Sequence, residues 1–301
     1  MLGSAAGGGF PQWNCNCPNC AGVRAGTLKA RPRSQSSIAV CGADARSWVL
    51  VNASPDIRAQ LQAYPELQPN RALRDTALGA IVLVDGQIDH TTGLYMLREA
   101  SRPWPVWCTD SAYADLTRGN PVLGVLAHYC GIERHRIELD RPFNIEAAAG
   151  VRWRALPVAS KPAPYSPHRE SPLPGDNIAL LIEEAASGRS VLYAPGLGAI
   201  DERLWAAMGA AACVLVDGTF WSDDEMIRLG VSGKRACDIG HLAQSGANGM
   251  LEWLARLPAM TRKVLIHINN TNPILDECSA EAEELARRGI EVASDGMEIR
   301  L

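Results

Sequence analysis

The sequence lacks any apolar stretch that approaches the roughly 20 residues an α-helix needs to cross a bilayer. Its N-terminus lacks a basic region followed by an apolar core, so no secretory signal peptide is indicated. Aromatic residues make up only 6% of the chain, the formal net charge is −4, and no basic run occurs. These absences argue against a nucleic-acid partner. We therefore expect a cytoplasmic protein with no membrane span.

A disulfide framework is not expected, although the chain contains nine cysteines. The number is odd, and six are single residues, several of which lie in apolar runs as small core side chains. Bridged frameworks belong mainly to short secreted chains. A chain of 301 residues that is 47% hydrophobic can build a large core. We expect one domain over residues 1–301.

The other three cysteines are clustered as Cys15, Cys17 and Cys20. This C-x-C-x-x-C spacing can place three thiolates around one tetrahedral zinc ion, which then needs a fourth ligand from elsewhere. The first alternative is a reduced cluster without metal. A redox-active dithiol is less favoured, because no thioredoxin-like strand precedes the motif. We predict a structural zinc site.

Polar residues follow three apolar runs of strand type. Asp89 and His90 come after residues 81–84, Asp217 ends a buried strand, and His267 follows another. Neutral imidazoles bind divalent metals and a carboxylate adds charge. The sequence therefore predicts a metal site at converging strand ends. By the same reasoning Asn270 is the first candidate for the fourth ligand of the cysteine cluster, because its strand end could reach both sites.

Strand-type and helix-type segments alternate, and several strand pairs form hairpins, which predicts two mixed sheets with helices on their outer faces. A long helix is expected from Asp238 to Leu257, with His241 near its start. Residues 157–175 contain six prolines and can be neither a helix nor a central strand. This proline-rich segment is either a lid near the site or a plain surface loop.

Residues 84–93 resemble the H-x-H-x-D-H segment of the metallo-β-lactamase superfamily. His267 matches the last metal histidine of that superfamily, and Gly240-His241-Leu242 resembles the late histidine of its phosphodiesterase-like members. The resemblance implies an α/β fold of the αββα type, in which two mixed β-sheets are flanked by helices.

A narrower resemblance covers nearly the whole chain. The segments at 3–15, 52–58, 87–94, 164–169 and 267–273 are similar to those of the coenzyme PQQ synthesis protein B family, where PQQ is pyrroloquinoline quinone. The resemblance implies a role in making PQQ, either as a carrier of PQQ or its precursor to the periplasm or as an iron-dependent hydroxylase of a tyrosine-containing precursor. Met1 falls almost inside the first motif, so we expect a shortened first strand or a misassigned start.

The departures from the superfamily pattern carry information. Its first two histidines fall on Asp85 and Gln87, and its third falls near Ser160, unless His168 substitutes. Its bridging aspartate falls near Pro195. One of two metal positions has therefore lost its ligands. The resemblance implies that the other metal position keeps its ligands, which are Asp89, His90 and His267. Two histidines and one carboxylate are the ligand set of mononuclear iron(II) oxygenases.

With this set holding Fe(II), Asp217 is a nearby carboxylate or a further ligand, and His241 supports the ligands or donates a proton. Asp85 and Gln87 would bind substrate or water at the lost metal position. The implied partners are PQQ and a tyrosine-derived precursor, either a small molecule or a short peptide, with a second copy of the chain as a further candidate. The side chains expected to close over an anionic precursor are Tyr165, His168 and Arg169.

Two other functions stay open at this point. A non-catalytic carrier would bind the quinone tightly without turnover. A residual hydrolase would need a second metal ion to clamp the attacking and leaving oxygens, which the missing histidines disfavour. Ligand type alone does not separate iron from zinc, because zinc binds the same side chains well.

Overall fold

The computed structural model describes residues 1–301 as two β-sheets with helices. The strands are β1 Ile38–Cys41, β2 Trp48–Val51, β3 Leu78–Val82, β4 Trp104–Cys108, β5 Ile132–Arg136, β6 Pro142–Asn144, β7 Val151–Pro157, β8 Ile178–Glu184, β9 Ser190–Ala194, β10 Cys213–Asp217, β11 Arg262–Ile266 and β12 Ile290–Val292. The α-helices are α1 Pro18–Ala25, α2 Ile57–Ala63, α3 Ile88–Thr91, α4 Asp110–Ala114, α5 Val122–Leu126, α6 Glu202–Ala210, α7 Glu225–Arg228, α8 Met250–Ala255 and α9 Ala280–Arg287.

Both sheets are mixed, as the sequence predicts. The first has the order β1-β2-β3-β4-β5, with an antiparallel β1–β2 hairpin and parallel neighbours after it. The second has the order β12-β11-β10-β9-β8-β7-β6, antiparallel from β6 to β9 and parallel from β9 to β12. Short connections join β1 to β2, β6 to β7 and β8 to β9, whereas the proline-rich segment joins β7 to β8. The parallel pairs need crossovers, which carry helices over the outer faces.

The core confirms the αββα sandwich. Successive side chains of β3 point to opposite faces: Val82 packs between the sheets and Ile81 packs in the core on the outer face. In β10, Leu215 lies between the sheets and Val216 lies in the core that includes helices α6 and α8. Both faces of these central strands are therefore buried, which explains why their sequences read as nearly continuous apolar runs.

The carboxyl ends of β3, β10 and β11 meet at one end of the sandwich. Strands β10 and β11 are parallel neighbours with Asp217 opposite Ile266, so His267 lies beside the turn that follows Asp217. Residues 3 and 5 form isolated bridges rather than a strand, and Ala5 pairs with both Gln35 and Ile268. The N-terminal segment thus contacts the same end of the sandwich.

The expected helix from Asp238 to Leu257 is wrong. The structure has a 3-10 turn at Cys237–Ile239, then a loop, and α8 starts only at Met250. Gly240 and Gly246 adopt φ values of +93° and +90°, which end helical geometry, and their lack of a Cβ makes this conformation accessible. His241 therefore lies in a loop, where its ring can face the strand ends.

Candidate metal centre

Asp89, His90 and His267 come together at the strand ends. The first two lie on α3, a single helical turn after β3, and His267 follows β11 directly. One oxygen of Asp89, Oδ2, lies 3.1 Å from Nε2 of His267 and 3.9 Å from Nε2 of His90. One ligand atom from each residue lies within 4.8 Å of the others. The predicted grouping of these three residues is thus present in the fold.

The residues fit a metal ion. Nε2 of His90 is buried and has no hydrogen-bond partner. A buried polar atom without a partner costs free energy, so an isolated one in a folded protein needs an explanation. This nitrogen faces the carboxylate of Asp89 beside Nε2 of His267. A divalent cation bound by these three atoms would satisfy it.

The opposite nitrogen of each ring is held by the protein. Nδ1 of His90 lies 2.9 Å from both oxygens of Asp85, and Nδ1 of His267 lies 2.9 Å from Oγ1 of Thr219. An N–H at Nδ1 donating to these oxygens leaves Nε2 deprotonated and directed at the ion, a common arrangement at metal-ligating histidines. The sequence analysis expected Asp85 to bind substrate or water; the structure places it behind His90.

Asp89 stays ionised despite its burial. Burial raises the pKa of Asp89, but the positive charges of His90 and His267 outweigh it and hold that pKa well below its usual value. Burial lowers the pKa of His90, and the charges of Asp85 and Asp89 outweigh this and raise it to about 9. Two carboxylates therefore favour a proton on the His90 ring when no ion is bound, and a divalent cation would displace that proton from Nε2.

Asp217 acts as a buried anchor beside the three residues. Its Oδ2 lies 2.6 Å from Nδ1 of His241 and accepts from the backbone N–H of Leu197, while its Oδ1 accepts from both the N–H and the hydroxyl of Thr219. Both oxygens are used, so the structure supports the expectation of a nearby carboxylate over that of a further ligand. Asp217, His241 and His267 nevertheless form a second group close enough to hold an ion.

His241 stacks against His267, with ring centroids 5.5 Å apart and an interplanar angle of 22°. Burial lowers the pKa of His241, but Asp217 outweighs burial and raises it. Its side chain is 16% exposed, so the ring reaches the edge of the site. It lies beside His267, and its expected role in supporting the ligands or donating a proton stays a prediction.

Protein hydrogen bonds occupy the positions where the superfamily has its other metal ligands. The side-chain amide of Gln87 donates to the carbonyl of Lys161 at 3.1 Å, and the hydroxyl of Ser160 donates to the carbonyl of Gly240 at 2.8 Å. Asp85 is engaged with His90. Asp85, Gln87 and Ser160 are therefore all bonded within the chain.

The proline-rich segment runs across this end of the sandwich. Its residue Ala159 forms a bridge with Ala199, and Lys161 accepts from Gln87. Farther along, the hydroxyl of Tyr165 donates to the carbonyl of Gly86. The segment thus ties the loops beside His241 to the turn that precedes Asp89, and we call residues 159–166 the strap.

Three side chains of the proline-rich segment were expected to bind substrate. Tyr165 is bonded to Gly86, Arg169 donates to the carbonyl of Pro162, and Nδ1 of His168 lies 3.3 Å from Asp176. These contacts are all internal to the chain. Substrate binding by Tyr165, His168, Arg169 and Gln87 stays a prediction.

The cysteine motif and Asn270 also come together. Nδ2 of Asn270 lies 3.1 Å from Sγ of Cys15, 3.5 Å from that of Cys17 and 3.4 Å from that of Cys20. The oxygen and nitrogen of a side-chain amide occupy nearly the same space, so a half-turn points Oδ1 at the three sulfurs. This arrangement has the form of a tetrahedral S₃O site.

Comparison with known proteins decides the family. Residues 47–268 match a model of the β-lactamase superfamily domain. Coenzyme PQQ synthesis protein B of Azoarcus sp. is 62% identical over 100% of this chain and 99% of its own length. The protein of that name from Pseudomonas protegens is 59% identical with the same coverage. The chain belongs to the coenzyme PQQ synthesis protein B family.

A crystal structure of PqqB from Methylobacterium extorquens, described as bound to Zn²⁺, supports this assignment. It superposes with a TM-score of 0.90 at 37% identity, covering 100% of this chain and 98% of that one. A diphosphatase of the PhnP family has a TM-score of 0.68 at 17% identity, covering 100% and 96% of the two chains, which shows a shared fold alone. Membership in the PQQ synthesis protein B family supports the expected role in PQQ biosynthesis and the expectation of metal binding. None of the helices is both long and apolar enough to cross a membrane.

Sequence reasoning missed two residues of the centre. Thr219 holds Nδ1 of His267, and the exposed Gly7 lies against Asp89. The turn Asp217-Gly-Thr219 at the end of a buried strand is a signal that could have indicated Thr219. The contact of Gly7 joins distant parts of the chain, and no local pattern predicts it.

Proposed function

We propose that the chain is a mononuclear Fe(II)- and O₂-dependent hydroxylase that acts on a tyrosine-derived precursor in PQQ biosynthesis. The proposal rests on the grouping of Asp89, His90 and His267. In this group, Nε2 of His90 is buried and has no hydrogen-bond partner. Two histidines and one carboxylate supply three ligands and leave positions open for substrate and O₂. When bound, iron would supply the activation of O₂.

The internal hydrogen bonds of Asp85, Gln87 and Ser160 support a one-ion site. A two-metal hydrolase needs ions about 3.5–4 Å apart that clamp the attacking and leaving oxygens. Here Gln87 and Ser160 bond to the backbone of the chain, and Asp85 bonds to His90. These contacts would have to break before a second ion could bind there.

The chain's own residues would position the ligands and manage protons. Asp85 and Thr219 hold the two histidine rings so that each Nε2 faces the ion. His241 donates from Nδ1 to Asp217, and because its raised pKa favours the protonated ring, its Nε2 would donate a proton to the bound substrate. The strap covers this end of the sandwich and would limit the access of water.

The test is anaerobic purification, metal analysis and reconstitution with Fe(II), followed by ¹⁸O₂ and a tyrosine-containing peptide. We expect labelled oxygen in the product. His90→Ala should lose the iron and keep the cysteine-bound zinc, while the matched control His128→Ala should keep both. Iron bound at full occupancy with no label in the product would refute hydroxylation of that peptide.

The same anaerobically purified protein can also test the two alternative functions, the carrier and the hydrolase. Tight retention of PQQ in equilibrium dialysis, without turnover, would identify a carrier. A second ion in addition to the cysteine-bound one and the Asp89-bound one would favour a hydrolase. That ion could use the group of Asp217, His241 and His267, although Nδ1 of each ring is already bonded.

A further inference from the structure

Asn19 lies between Cys17 and Cys20 on α1 and is only 8% exposed. Its side-chain amide does not face the sulfurs. Nδ2 donates instead to the backbone carbonyl of Asn270 at 3.1 Å and to that of Asn272 at 2.9 Å. One side chain of the cysteine motif therefore holds the loop of residues 267–272, which we call the shared loop.

The contact continues from the shared loop to the metal centre. The amide Nδ2 of Asn272 donates to the carbonyls of Gly218 at 2.9 Å and Thr219 at 3.2 Å. The hydroxyl of Thr219 lies 2.9 Å from Nδ1 of His267. An unbroken series of buried hydrogen bonds thus leads from the cysteine motif to a ligand of the other centre.

The shared loop carries one residue of each centre. His267 is at its start and Asn270, which faces all three sulfurs, is three positions later. His267 has φ of +57°, a left-handed conformation that is unfavourable for a side chain with a Cβ and persists only when surrounding contacts impose it. The hydroxyl of Thr219 lies 2.9 Å from the carbonyl oxygen of His267, and Asn272 in turn bonds to Thr219. Asn19 acts one step farther away, on the backbone of Asn270 and Asn272.

We propose that Asn19 is a positioning residue that couples metal occupancy of the cysteine cluster to the ligand geometry of Asp89, His90 and His267. The proposal rests on the metal centre of the proposed function. Zinc at the cysteines fixes α1 and Asn270, Asn19 passes this constraint to the shared loop, and the loop holds His267 in its left-handed conformation. Coupling between two binding sites is reciprocal, so an ion at Asp89 also makes the cysteine-bound zinc harder to remove.

The test uses the full chain with zinc in the cysteine cluster and Co²⁺ as the probe of the second site. Cobalt at the histidine and carboxylate ligands is followed by its visible absorption, and zinc release is followed with a chelating dye. Asn19→Ala should weaken Co²⁺ binding by about ten-fold, as loss of a residue that supports metal ligands typically does. It should also abolish the protection of zinc by bound Co²⁺. The matched control Asn16→Ala changes an exposed residue of the same motif and should alter neither quantity.

A zinc-loaded Asn19→Ala protein with unchanged Co²⁺ affinity and unchanged zinc protection would overturn the proposal. If Asn19→Ala loses its zinc, the variant Asn272→Asp tests the coupling instead. It keeps the side-chain oxygen that accepts from the backbone N–H of Ile274, and it removes the amide group that donates to the carbonyls of Gly218 and Thr219. Weakened Co²⁺ binding with zinc retained then supports the coupling, and unchanged binding refutes it. Wild-type protein that binds no Co²⁺ at Asp89 would refute the metal centre itself, whereas tight binding without protection of zinc would refute the coupling alone.

Discussion

His90 and His267 are oriented by different kinds of partner. His90 faces the carboxylate of Asp85, which has both oxygens 2.9 Å from Nδ1. His267 faces the neutral hydroxyl of Thr219, which is itself bonded to Asp217. A carboxylate at Nδ1 makes an imidazole a more basic ligand than a hydroxyl does. Asp85 should therefore contribute more to metal affinity than its distance from the ion suggests.

Replacing Asp85 by Asn tests this difference. The amide has the same shape but no charge, so we expect Fe(II) or Co²⁺ affinity to fall by about ten-fold with little change in thermal stability. Metal titration followed by absorbance measures the affinity. Asp44→Asn in an exposed loop is the control, and equal affinities for the two variants would contradict the role of Asp85.

Gly7 limits the space beside Asp89. A Cβ placed on Gly7 would lie 3.4 Å from Oδ2 of Asp89, at the edge of ordinary contact. We expect Gly7→Ala to be tolerated and Gly7→Val to displace the carboxylate and weaken metal binding several-fold. Gly233→Val is the control, since nothing lies within 4 Å of that position. Unchanged metal affinity in Gly7→Val would show that the N-terminal segment moves aside.

Among the secondary-structure elements and loops, the strap is held by the contacts of Ala159, Ser160 and Lys161 at one end and by an aromatic side chain at the other. Tyr165 lies between two glycines: a Cβ on Gly86 would be 3.2 Å from its hydroxyl, and one on Gly119 would be 2.5 Å from its ring. Larger residues at either position would collide with the ring. The ring therefore anchors the strap to the turn before Asp89.

Tyr165→Ala should release the strap. We expect faster amide hydrogen exchange and faster proteolysis at residues 159–166. Tyr165→Phe should give rates between those of Tyr165→Ala and the wild type, because it loses only the hydrogen bond to Gly86. Mass spectrometry of exchanged peptides provides the measurement. Tyr129→Ala, at a 62% exposed tyrosine, should leave the strap unchanged. Equal protection of the strap in both alanine variants would mean that other contacts hold it.

The strands were predictable because each is a short apolar run bounded by turn residues. The β1–β2 hairpin and the buried strand at Cys213 follow the expected pattern. The helix expected after Asp238 failed because glycines with positive φ interrupt an apolar pattern that has helical spacing. Helix α1 was missed because the cysteine spacing in that segment indicated a metal loop.

The candidate metal ligands could be grouped from sequence because the carboxyl ends of neighbouring parallel strands share one edge of a sheet. That rule brings His267 beside Asp217, and the resemblance to a known motif adds Asp89 and His90. The rule does not say which nitrogen of each ring faces the ion. The orientation depends on Asp85 and Thr219, which become neighbours of the histidines only through local turns.

In the molecule as a whole, a cluster of 21 buried residues joins the two sheets. Trp153 is fully buried on β7, in the core cluster that also includes Val82 of the other sheet. Removing a tryptophan from such a core costs about 3–5 kcal/mol. Both sheets depend on this cluster, so both should lose stability together.

Trp153→Ala therefore tests the expectation of a single domain over residues 1–301. We expect one cooperative urea transition at a lower midpoint concentration, with the free energy of unfolding reduced by about 3–5 kcal/mol. Far-ultraviolet circular dichroism and tryptophan fluorescence should report the same transition. The control Ile227→Ala, which changes a side chain that is 42% exposed, should change the midpoint of the urea transition little. Two separate transitions would show that the sheets unfold as independent units.

The shared loop also has a consequence for the order in which the protein is made. Asn19 bonds to Asn270, 251 positions along the chain, and Asp89 meets His267 across 178 positions. Chains emerge from the ribosome N-terminus first, and their early parts can begin to fold before the rest exists. Neither complete set of candidate ligands can exist until about nine-tenths of the chain has emerged. Metal loading of the proposed centres would therefore be a late event, and a ribosome that stalls before His267 would leave a product with neither centre complete.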